Sequence, residues 1–388
     1  MENTMENTKV VELRDFLVSQ FVGKETEATA ILAGLLSGEP TLLVGPPGTA
    51  KTQMVQTLAS AIGGSYFYYL LTRFTEPDEI LGPISITSLR EGKLERITSG
   101  RLPEADIVFL DEVFKASSAV RNILLDIILN KRYMNGGTFH KLPSLAFYFA
   151  SNEVSSDTED VAFFDRLSIR CFTSNVSPET WEELLNLGIK LETNTTSSRI
   201  ILSKEEVKVL QNKVISNLNS ILNSSLIKKY LEVLAELRSK GIEISDRRKI
   251  KILKVASAIS TIYLENIPSL DSLADALRFS CSNEEQLKVV EELILKLGLS
   301  SFYLNVQQLN TLQTELQNNL NQLKSNANPT LQDLQMLSTV YKKSLQVLKG
   351  MPKSPRLLPY VRSFVSTLDE AKNVIRKVQE SLTGESNV

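Results

Sequence analysis

One short segment constrains the fold of this chain more than any other. The apolar run Thr41–Val44 is followed by GPPGTAKT, residues Gly45 to Thr52, and an amphipathic helical pattern starts near Thr52. In such a loop, backbone N–H groups and the positive end of the following helix converge on an anion. The order of strand, glycine-rich loop and helix predicts a phosphate-binding loop in an α/β fold. A Gly/Pro turn before a surface helix is the alternative.

Three residues at the end of this loop carry its expected chemistry. Lys51 is expected to reach the β and γ phosphates of a nucleotide, and the Thr52 hydroxyl is expected to bind Mg²⁺. Ala50 stands where the general pattern G-x-x-x-x-G-K-[ST] has glycine. A methyl group is tolerable at that position if Ala50 has a helical φ angle.

A second motif, IVFLDEVFKA, places two carboxylates after an apolar strand. Ile107 to Leu110 form the predicted strand, and Asp111 and Glu112 follow it. Asp111 is expected to hold Mg²⁺ through water, and Glu112 to act as general base on the attacking water. An acidic pair after a strand can also be a solvated turn, but its combination with the upstream loop favours nucleotide hydrolysis.

The hydrophobic pattern predicts three regions. As far as Phe172, short apolar runs alternate with helical patterns, which is typical of a parallel sheet covered by helices. The predicted strands are Thr41–Val44, Tyr66–Leu71, Ile107–Leu110, Leu145–Ala150 and Ser168–Phe172. Helical patterns alone follow from Pro178. The last hundred residues contain three apolar stripes, which predict a three-helix bundle or arm: Leu309–Leu323, Leu331–Leu348 and Val361–Leu382.

Polar side chains lie at the ends of two further predicted strands. Asn152 follows one strand, where its amide could orient the attacking water. Arg166 and Arg170 precede or enter another strand. Arg166 could form a structural salt bridge with Asp165 or Glu159, or it could act as an arginine finger on the γ-phosphate of a neighbouring subunit.

Composition excludes several classes of protein. The 43 basic and 45 acidic residues give a net charge of −2, which argues against a surface built to bind nucleic acid or acidic lipid. One histidine and two cysteines are too few for a usual structural zinc site. There is neither a secretory signal nor an apolar run of about 20 residues, so we expect no transmembrane segment and a cytoplasmic protein. Residues 1–15, which begin MENTMENTK, are expected to form a mobile tail.

The ordered motifs resemble those of a known family. GPPGTAKT, FLDEVFKA, ASN, FFDRLSIR and ISDRR, the last spanning Ile244 to Arg248, resemble the motifs of an AAA+ ATPase of the MoxR group. The run LERITSGRLPEADIVFLDEVFKAS resembles its RavA branch. Alanine at the sixth loop position is the usual MoxR form. The resemblance extends from about Phe16 to Ile259.

The resemblance implies roles for individual residues and the cofactors ATP and Mg²⁺. Asp111 and Glu112 would be the Walker B pair, Asn152 sensor 1 and Arg166 the arginine finger. Sensor 2 would be Arg247, which spacing alone does not separate from Arg248. The Walker A loop and the adenine-binding segment would be Gly45, Pro46, Pro47, Gly48, Thr49, Ala50, Lys51 and Thr52, with Val22 and Gly23.

The resemblance also implies an architecture. We expect an AAA+ three-layer αβα core over residues 16–176, an all-helical lid over 177–281 with ATP between core and lid, and a C-terminal helical bundle over 282–388. Two insertions are expected to be β-hairpins: SITSLREGKLERITS, which would face a ring pore, and RYMNGGTFH, which precedes sensor 1.

The implied function is that of a ring motor. The chain would form a homo-oligomeric, six-membered ring that hydrolyses ATP to remodel or mature a client protein, together with a partner that carries a von Willebrand factor A domain. A DNA-associated AAA+ motor and a nucleotide-gated assembly scaffold are the alternatives, although the balanced charge does not favour nucleic acid.

Overall fold

A computed structural model describes residues 2–154, 160–193, 199–222, 224–265, 267–325, 330–352, 354 and 356–383. The chain forms two compact units, one up to Leu293 and one from Ile294 onward. The described strands are β1 (Thr41–Val44), β2 (Tyr66–Leu70), β3 (Ile107–Asp111), β4 (Arg132–Asn135), β5 (Thr138–Lys141), β6 (Ala146–Ser151) and β7 (Ile169–Phe172).

Five of these strands form one parallel sheet in the order β2-β3-β6-β1-β7. The predicted strands are therefore confirmed, with ends that shift by one residue at most. Because all five strands are parallel, their carboxyl ends all lie on one side of the sheet and their amino ends all lie on the opposite side. We call the edge after Val44, Asp111 and Ser151 the carboxyl edge, and the edge before Thr41 and Ile169 the amino edge.

Helices cover both faces of the sheet. The described helices of the first unit are α1 (Glu2–Gln20), α2 (Glu25–Ser37), α3 (Lys51–Ala61), α4 (Pro77–Leu81), α5 (Ile86–Arg90), α6 (Ser118–Asn130), α7 (Asp160–Arg166), α8 (Trp181–Thr193), α9 (Lys204–Ile221), α10 (Ser225–Ser239), α11 (Asp246–Ile262), α12 (Leu270–Arg278) and α13 (Glu284–Lys296). Side chains of α4, α6 and α7 share one core with Leu42 and Val108 of the sheet. On the other face, the Tyr148 hydroxyl donates to the Ile31 carbonyl of α2 at 2.8 Å. The three-layer αβα fold is confirmed.

The N-terminal segment is helical, in contrast to the mobile tail that was expected over residues 1–15. Val10, Leu13 and Leu17 of α1 are fully buried. Their spacing of three and four residues places them on one face of a helix. Lys9 Nζ also lies 2.6 Å from Glu206 Oε1 of α9. The repeated polar sequence at the start of the chain concealed the apolar stripe that follows it.

Helix α11 lies alongside α2 and begins at the amino edge. Near its start, Ser245 Oγ donates to Asp165 Oδ1 at 2.9 Å. About two turns further on, the Lys251 and Lys254 ammonium groups each lie 2.7 Å from Oε1 of Glu39, which precedes β1. At the other end, the Tyr263 hydroxyl lies 3.1 Å from Thr29 Oγ1 of α2. The predicted lid helix therefore belongs to the same compact unit as the sheet.

The two insertions differ from one another. Strands β4 and β5 pair antiparallel, which confirms the hairpin predicted for RYMNGGTFH. The segment SITSLREGKLERITS is a hairpin only at its base, where Ile84 pairs antiparallel with Arg96. Its tip is the short helix α5, which Ser85 caps by accepting from the Ser88 N–H, so the regular hairpin predicted there is wrong. The residues after α5 also bond to the other insertion, through Gly136 N to Leu94 O at 3.0 Å and Arg96 N to Asn135 Oδ1 at 2.6 Å.

The second unit is a bundle of three described helices, α14 (Ser301–Ser325), α15 (Leu331–Gly350) and α16 (Leu358–Thr383). Leu316, Leu337 and Phe364 are fully buried in their shared core, so the predicted C-terminal helical bundle is confirmed. The predicted boundary at residue 282 is too early, because Arg278 Nη2 pairs with Glu291 Oε1 at 2.8 Å and so ties α13 to α12. None of the described helices combines the length and apolarity needed to cross a bilayer.

Candidate nucleotide site

The loop after β1 has the backbone geometry of an anion cradle. Gly45 N donates to Ser151 O of β6 at 3.1 Å, which anchors the loop to the neighbouring strand. A Cβ atom on Gly45 would lie 2.1 Å from Thr173 O, so only glycine fits. Gly48 has φ +80°, a left-handed conformation that glycine adopts without strain. Helix α3 begins at Lys51, so its N-terminus points at the loop.

The backbone conformation of Ala50 differs from the helical φ angle that was expected for it. Its φ and ψ angles are 63° and 14°, so it has a left-handed rather than a helical conformation. The methyl group is accommodated although the backbone is strained, because left-handed geometry costs a non-glycine residue roughly 1–2 kcal/mol. Thr49 stabilises the same turn, since its Oγ1 donates to Pro46 O at 2.9 Å.

Lys51 lies between this loop and the acidic pair. Its Nζ donates to Gly45 O at 2.7 Å and to Pro46 O at 2.9 Å. Burial lowers the pKa of this amine, and the carboxylates of Asp111 and Glu112 act in the opposite direction. The structure thus brings the predicted phosphate-binding lysine and both predicted Walker B carboxylates together.

Asp111 and Glu112 occupy different environments at the end of β3. Burial raises the pKa of Asp111 above its ordinary value, and the neighbouring Glu112 carboxylate raises it further. Glu112 has φ 54°, which turns its side chain out of the strand direction. Asn152, the residue after β6, donates its Nδ2 to Glu112 Oε1. The predicted base and the predicted water-orienting amide therefore contact each other.

Lys115 is a member of this cluster that the sequence argument missed. Its Nζ lies 3.3 Å from Glu112 Oε1, the oxygen that also accepts from Asn152. The Lys115 side chain is 62% exposed and that of Glu112 is 13% exposed. The signal that could have found it is the spacing of three residues in the turn after the acidic pair, which places both side chains on one side.

Val22 and Gly23 lie at the same edge as the loop. The next residue, Lys24, is buried and donates to Thr173 Oγ1 at 2.9 Å and to Ser174 O at 2.5 Å. Thr173 is also the residue that closely approaches Gly45. The segment expected to receive adenine is therefore adjacent to the phosphate loop.

Arg166 lies away from these groups. It ends α7 and precedes β7, which begins at Ile169 opposite Thr41 of β1. Arg166 is therefore at the amino edge, whereas the phosphate loop is at the carboxyl edge, four residues or about 13 Å of strand away. Glu159, one of its considered salt-bridge partners, lies outside the described residues. Arg170 is a structural residue, because it is 1% exposed and donates to Leu167 O and Phe164 O.

The two sensor 2 candidates can now be distinguished. Both lie in the first turn of α11, and their neighbour Ser245 bonds to Asp165 at the amino edge. Arg248 is 6% exposed, whereas Arg247 is exposed and can contact another molecule. Within one chain α11 therefore begins at the edge of the sheet opposite to the phosphate loop, and the expected position of ATP between core and lid stays a prediction.

A comparison with known families shows the family of this chain. A model of the MoxR domain found in MoxR-vWA-beta-propeller ternary systems matches residues 8–212, more than half of the chain. This chain belongs to the MoxR family of AAA+ ATPases. The assignment confirms the resemblance to the MoxR group, while the RavA branch within it stays a prediction.

Two relatives of this MoxR chain are similar to it over different lengths. MJ0812, an uncharacterised protein of Methanocaldococcus jannaschii, is 38% identical over 251 residues, which are 64% of this chain and 65% of that protein. Chaperone MoxR1 of Mycobacterium tuberculosis is 29% identical over 42% of this chain and 44% of its own length. The chain thus spans just under two thirds of the first of these relatives and less than half of the second.

A solved structure supports the MoxR fold. A candidate ATPase from Cytophaga hutchinsonii superposes with a TM-score of 0.61 and covers 75% of this chain and 94% of that protein. Its sequence identity is 21%, so the likeness concerns the fold alone.

The residues at the carboxyl edge suit the nucleotide and magnesium that AAA+ proteins use. Hard oxygen donors, the Thr52 hydroxyl and the Asp111 carboxylate, are the ligand type that Mg²⁺ takes from a protein when phosphates supply the rest. Thr173 O lies so close to Gly45 that position 45 cannot carry a side chain, so the loop backbone is uncovered at Gly45. The donor set and the cradle therefore both fit Mg²⁺ and a phosphate chain.

Proposed function

We propose that this MoxR protein hydrolyses ATP in a ring of identical subunits, and that each catalytic site is completed by the neighbouring subunit. One observation carries the proposal. The phosphate loop, Asp111, Glu112 and Asn152 lie at the carboxyl edge, whereas Arg166 and Arg247 lie at the amino edge. A single chain therefore has both halves of the site but does not bring them together.

At the carboxyl edge, each residue has a role that follows from its position. Backbone N–H groups of the non-proline residues in the loop and the Lys51 ammonium group bind the phosphates. Thr52 and Asp111 would hold Mg²⁺, which would supply positive charge beside the phosphates. Glu112 accepts a proton from the attacking water. Asn152, which donates to Glu112, orients that water between the amide and the carboxylate.

At the amino edge, the arginines supply positive charge to a different copy. Arg166 acts as the arginine finger, which typically contributes 10³–10⁵ in kcat. Arg247 contacts the same phosphates, while Arg248 is buried in the first turn of α11. Contact between unlike edges is heterologous, so it forms a closed ring when the rotation between copies closes. We propose six subunits, as the MoxR resemblance implies.

The biological role follows from the family. The matching model describes MoxR domains of ternary systems with vWA and beta-propeller components, which supports a von Willebrand factor A domain partner. The relative MoxR1 is named a chaperone, which supports remodelling or maturation of a client protein. We propose a cytoplasmic motor of the RavA-like branch that acts on such a client.

Mixing two inactive variants tests the division between edges. Lys51→Ala removes the phosphate-binding side chain, and Arg166→Ala removes the finger, so each variant alone should lose hydrolysis. In a mixture, an intact phosphate loop can meet an intact Arg166 from the other variant, and part of the ATPase activity should return.

A matched control uses two lesions at the same edge. Lys51→Ala mixed with Glu112→Gln should stay inactive, because neither variant can supply a complete carboxyl edge. Phosphate release, measured at equal total protein, reads out both mixtures. Recovery in the control, or none in the first mixture while the proteins assemble, would contradict the proposal.

A further inference from the structure

Helix α8 has an apolar face that the described residues leave exposed. Trp181, Leu185 and Ile189 follow one another at spacings of four residues and are 56%, 64% and 62% exposed. Within the described part of the chain, no side chain of α8 is buried. A helix of thirteen residues is marginal in water and gains its stability mainly by packing its apolar face. This face is therefore expected to be covered in the assembled protein.

Helix α8 lies on the carboxyl-edge side of the molecule. The chain that leads into it passes Gly23, where Val176 Cγ1 would lie 3.4 Å from an added Cβ. Burial raises the pKa of Glu25, at the start of α2, and the carboxylates of Glu27 and Glu183 raise it further. Glu183 belongs to the first turn of α8, so the helix is close to the segment expected to receive adenine.

A groove with a largely apolar lining, which suits the apolar face of α8, lies on the amino-edge side of the molecule. It encloses about 570 Å³ between α10 and the turn that leads into α11. Ile244 of this turn is next to Ser245, which bonds to Asp165 beside Arg166. The apolar residues that line the groove are Leu231, Leu234, Ala235, Ile242 and Ile244.

Charged residues also lie beside the apolar surfaces of the groove and of α8. Arg238, Lys249 and Glu243 also line the groove, so its rim carries two positive charges and one negative charge, and Lys249 also pairs with Asp246 at 2.7 Å. The first turn of α8 carries Glu182 and Glu183 beside the apolar face. Opposite charges at the rim of an apolar contact favour one orientation and speed association.

We propose that α8 of one copy docks into the α10–α11 groove of the next copy. The inference rests on the proposed ring and deepens it by naming the contact surface. A contact between α8 and this groove joins the carboxyl edge of one copy to the amino edge of another, which is the arrangement that the divided site requires. Because the two surfaces differ, the contact is heterologous and repeats around a ring.

Cysteine cross-linking tests this contact directly. Cys171 and Cys281 are both buried, so engineered surface cysteines react with little background. A Leu185→Cys protein is mixed with a Leu234→Cys protein and oxidised. We expect a disulfide-linked dimer in the mixture and none in either protein alone. Dimers of Leu185→Cys alone would show that α8 pairs with itself, and assembly without any mixed dimer would place the interface elsewhere; either result overturns the inference.

A matched pair of substitutions measures the contribution of α8. Ile189→Glu places a charge on its exposed face, whereas Ile215→Glu places one on the exposed face of α9, where Ile215 is 53% exposed. We expect Ile189→Glu to weaken assembly at least about tenfold, as one buried apolar side chain replaced by a charge can cost more than 1.4 kcal/mol. Ile215→Glu should assemble like the parent. Light scattering measures assembly, and circular dichroism checks that both variants are folded.

The outcomes of these experiments distinguish a failure of the proposed interface from a failure of the proposed hydrolysis. If mixed cross-links form but ATP is not hydrolysed, the proposed function fails and the interface stands. If mixed lesions restore hydrolysis but Ile189→Glu assembles as well as Ile215→Glu, the ring stands and α8 docking is overturned. A small apolar ligand that fills the groove without affecting assembly would likewise overturn it.

Discussion

The two edges of the sheet use charged residues in opposite ways. At the carboxyl edge, Lys51 donates only to loop oxygens, and Glu112 is held by one amide and one exposed lysine. At the amino edge, the Glu39 carboxylate is 4% exposed and is satisfied by Lys251, Lys254 and the Ser168 hydroxyl. One set of charges is positioned for a ligand, whereas the other set holds α11 to the sheet.

Backbone strain occurs at both edges, but it accompanies different side chains. Ala50 and Glu112, both non-glycine residues with positive φ, belong to the two loops that face the phosphate site, where strained backbone often marks a functional site. Lys131 also has positive φ, and its ammonium group interacts with Glu39, Lys251 and Lys254 at the amino edge. The amino edge gains its stability from ion pairs and buried contacts. Substitutions at the two edges should therefore separate activity from stability.

The largest expected effect is on activity alone. Glu112→Gln removes the general base, so hydrolysis should fall by roughly 10²- to 10⁴-fold. ATP binding should persist, since Lys51 and the loop amides remain, and the free energy of unfolding should change little. Single-turnover hydrolysis and binding of a fluorescent nucleotide measure the two quantities. Hydrolysis at the parent rate would show that another group is the base.

Glu39→Gln should lower the stability of the fold rather than the rate of hydrolysis. It leaves two lysines facing a neutral amide, and breaking a buried pair costs about 3–5 kcal/mol, less here because both ammonium groups are partly exposed. We expect a loss of roughly 1–3 kcal/mol in the free energy of urea unfolding. A variant as stable as the parent would show that α11 is held by apolar contacts alone.

The pH dependence of stability provides a check on Glu39. Burial raises its pKa, but the nearby Lys254 and Lys251 charges outweigh this effect and hold the pKa below the ordinary value of 4.5. A carboxyl with a depressed folded-state pKa stabilises the fold above its unfolded pKa and loses that contribution as pH falls through the folded pKa. The stability difference between parent and Glu39→Gln should therefore be constant near neutrality and should shrink once the pH falls below the ordinary value of 4.5, until it is lost below the depressed folded-state pKa.

A smaller effect is expected for Lys115→Met at the carboxyl edge. Removing this positive charge, 3.3 Å from Glu112 Oε1, takes away one of the two groups that hold the carboxylate. The rate of hydrolysis should fall by at most about fivefold, because exposed ion pairs contribute about 0–1 kcal/mol. Lys115→Arg should keep the parent rate. An unchanged rate for Lys115→Met would show that Lys115 does not position Glu112.

The smallest effect is expected for Ala50→Gly. Glycine relieves the left-handed strain but adds unfolded-state entropy, so the net gain in stability should be about 0–1 kcal/mol. Gly48→Ala, at φ +80°, should lower stability by a comparable amount. Thermal unfolding of both variants measures the difference. Destabilisation by Ala50→Gly would show that its methyl group packs usefully.

Local sequence predicted the sheet and the carboxyl edge well because each element is defined by adjacent residues. A strand, its loop and the residue after it are continuous in sequence, so Lys51, Asp111 and Asn152 could be placed together from strand ends alone. The start of α11 could not be placed, because its position depends on Glu39, Lys251 and Asp165, which are distant in the chain. Hydrophobic periodicity identifies a helix and its buried face but not the edge at which it begins.

The hydrogen bonds between the two insertions have a consequence for how relatives of this protein diverge. Leu94 and Arg96 of one insertion are bonded to Gly136 and Asn135 at the tip of the other. A residue gained or lost in either segment shifts this register and breaks the bonds, unless the other segment changes to match. The lengths of the two segments should therefore vary together during evolution, as one inherited unit, although about forty residues of chain and the whole of β3 and α6 separate them.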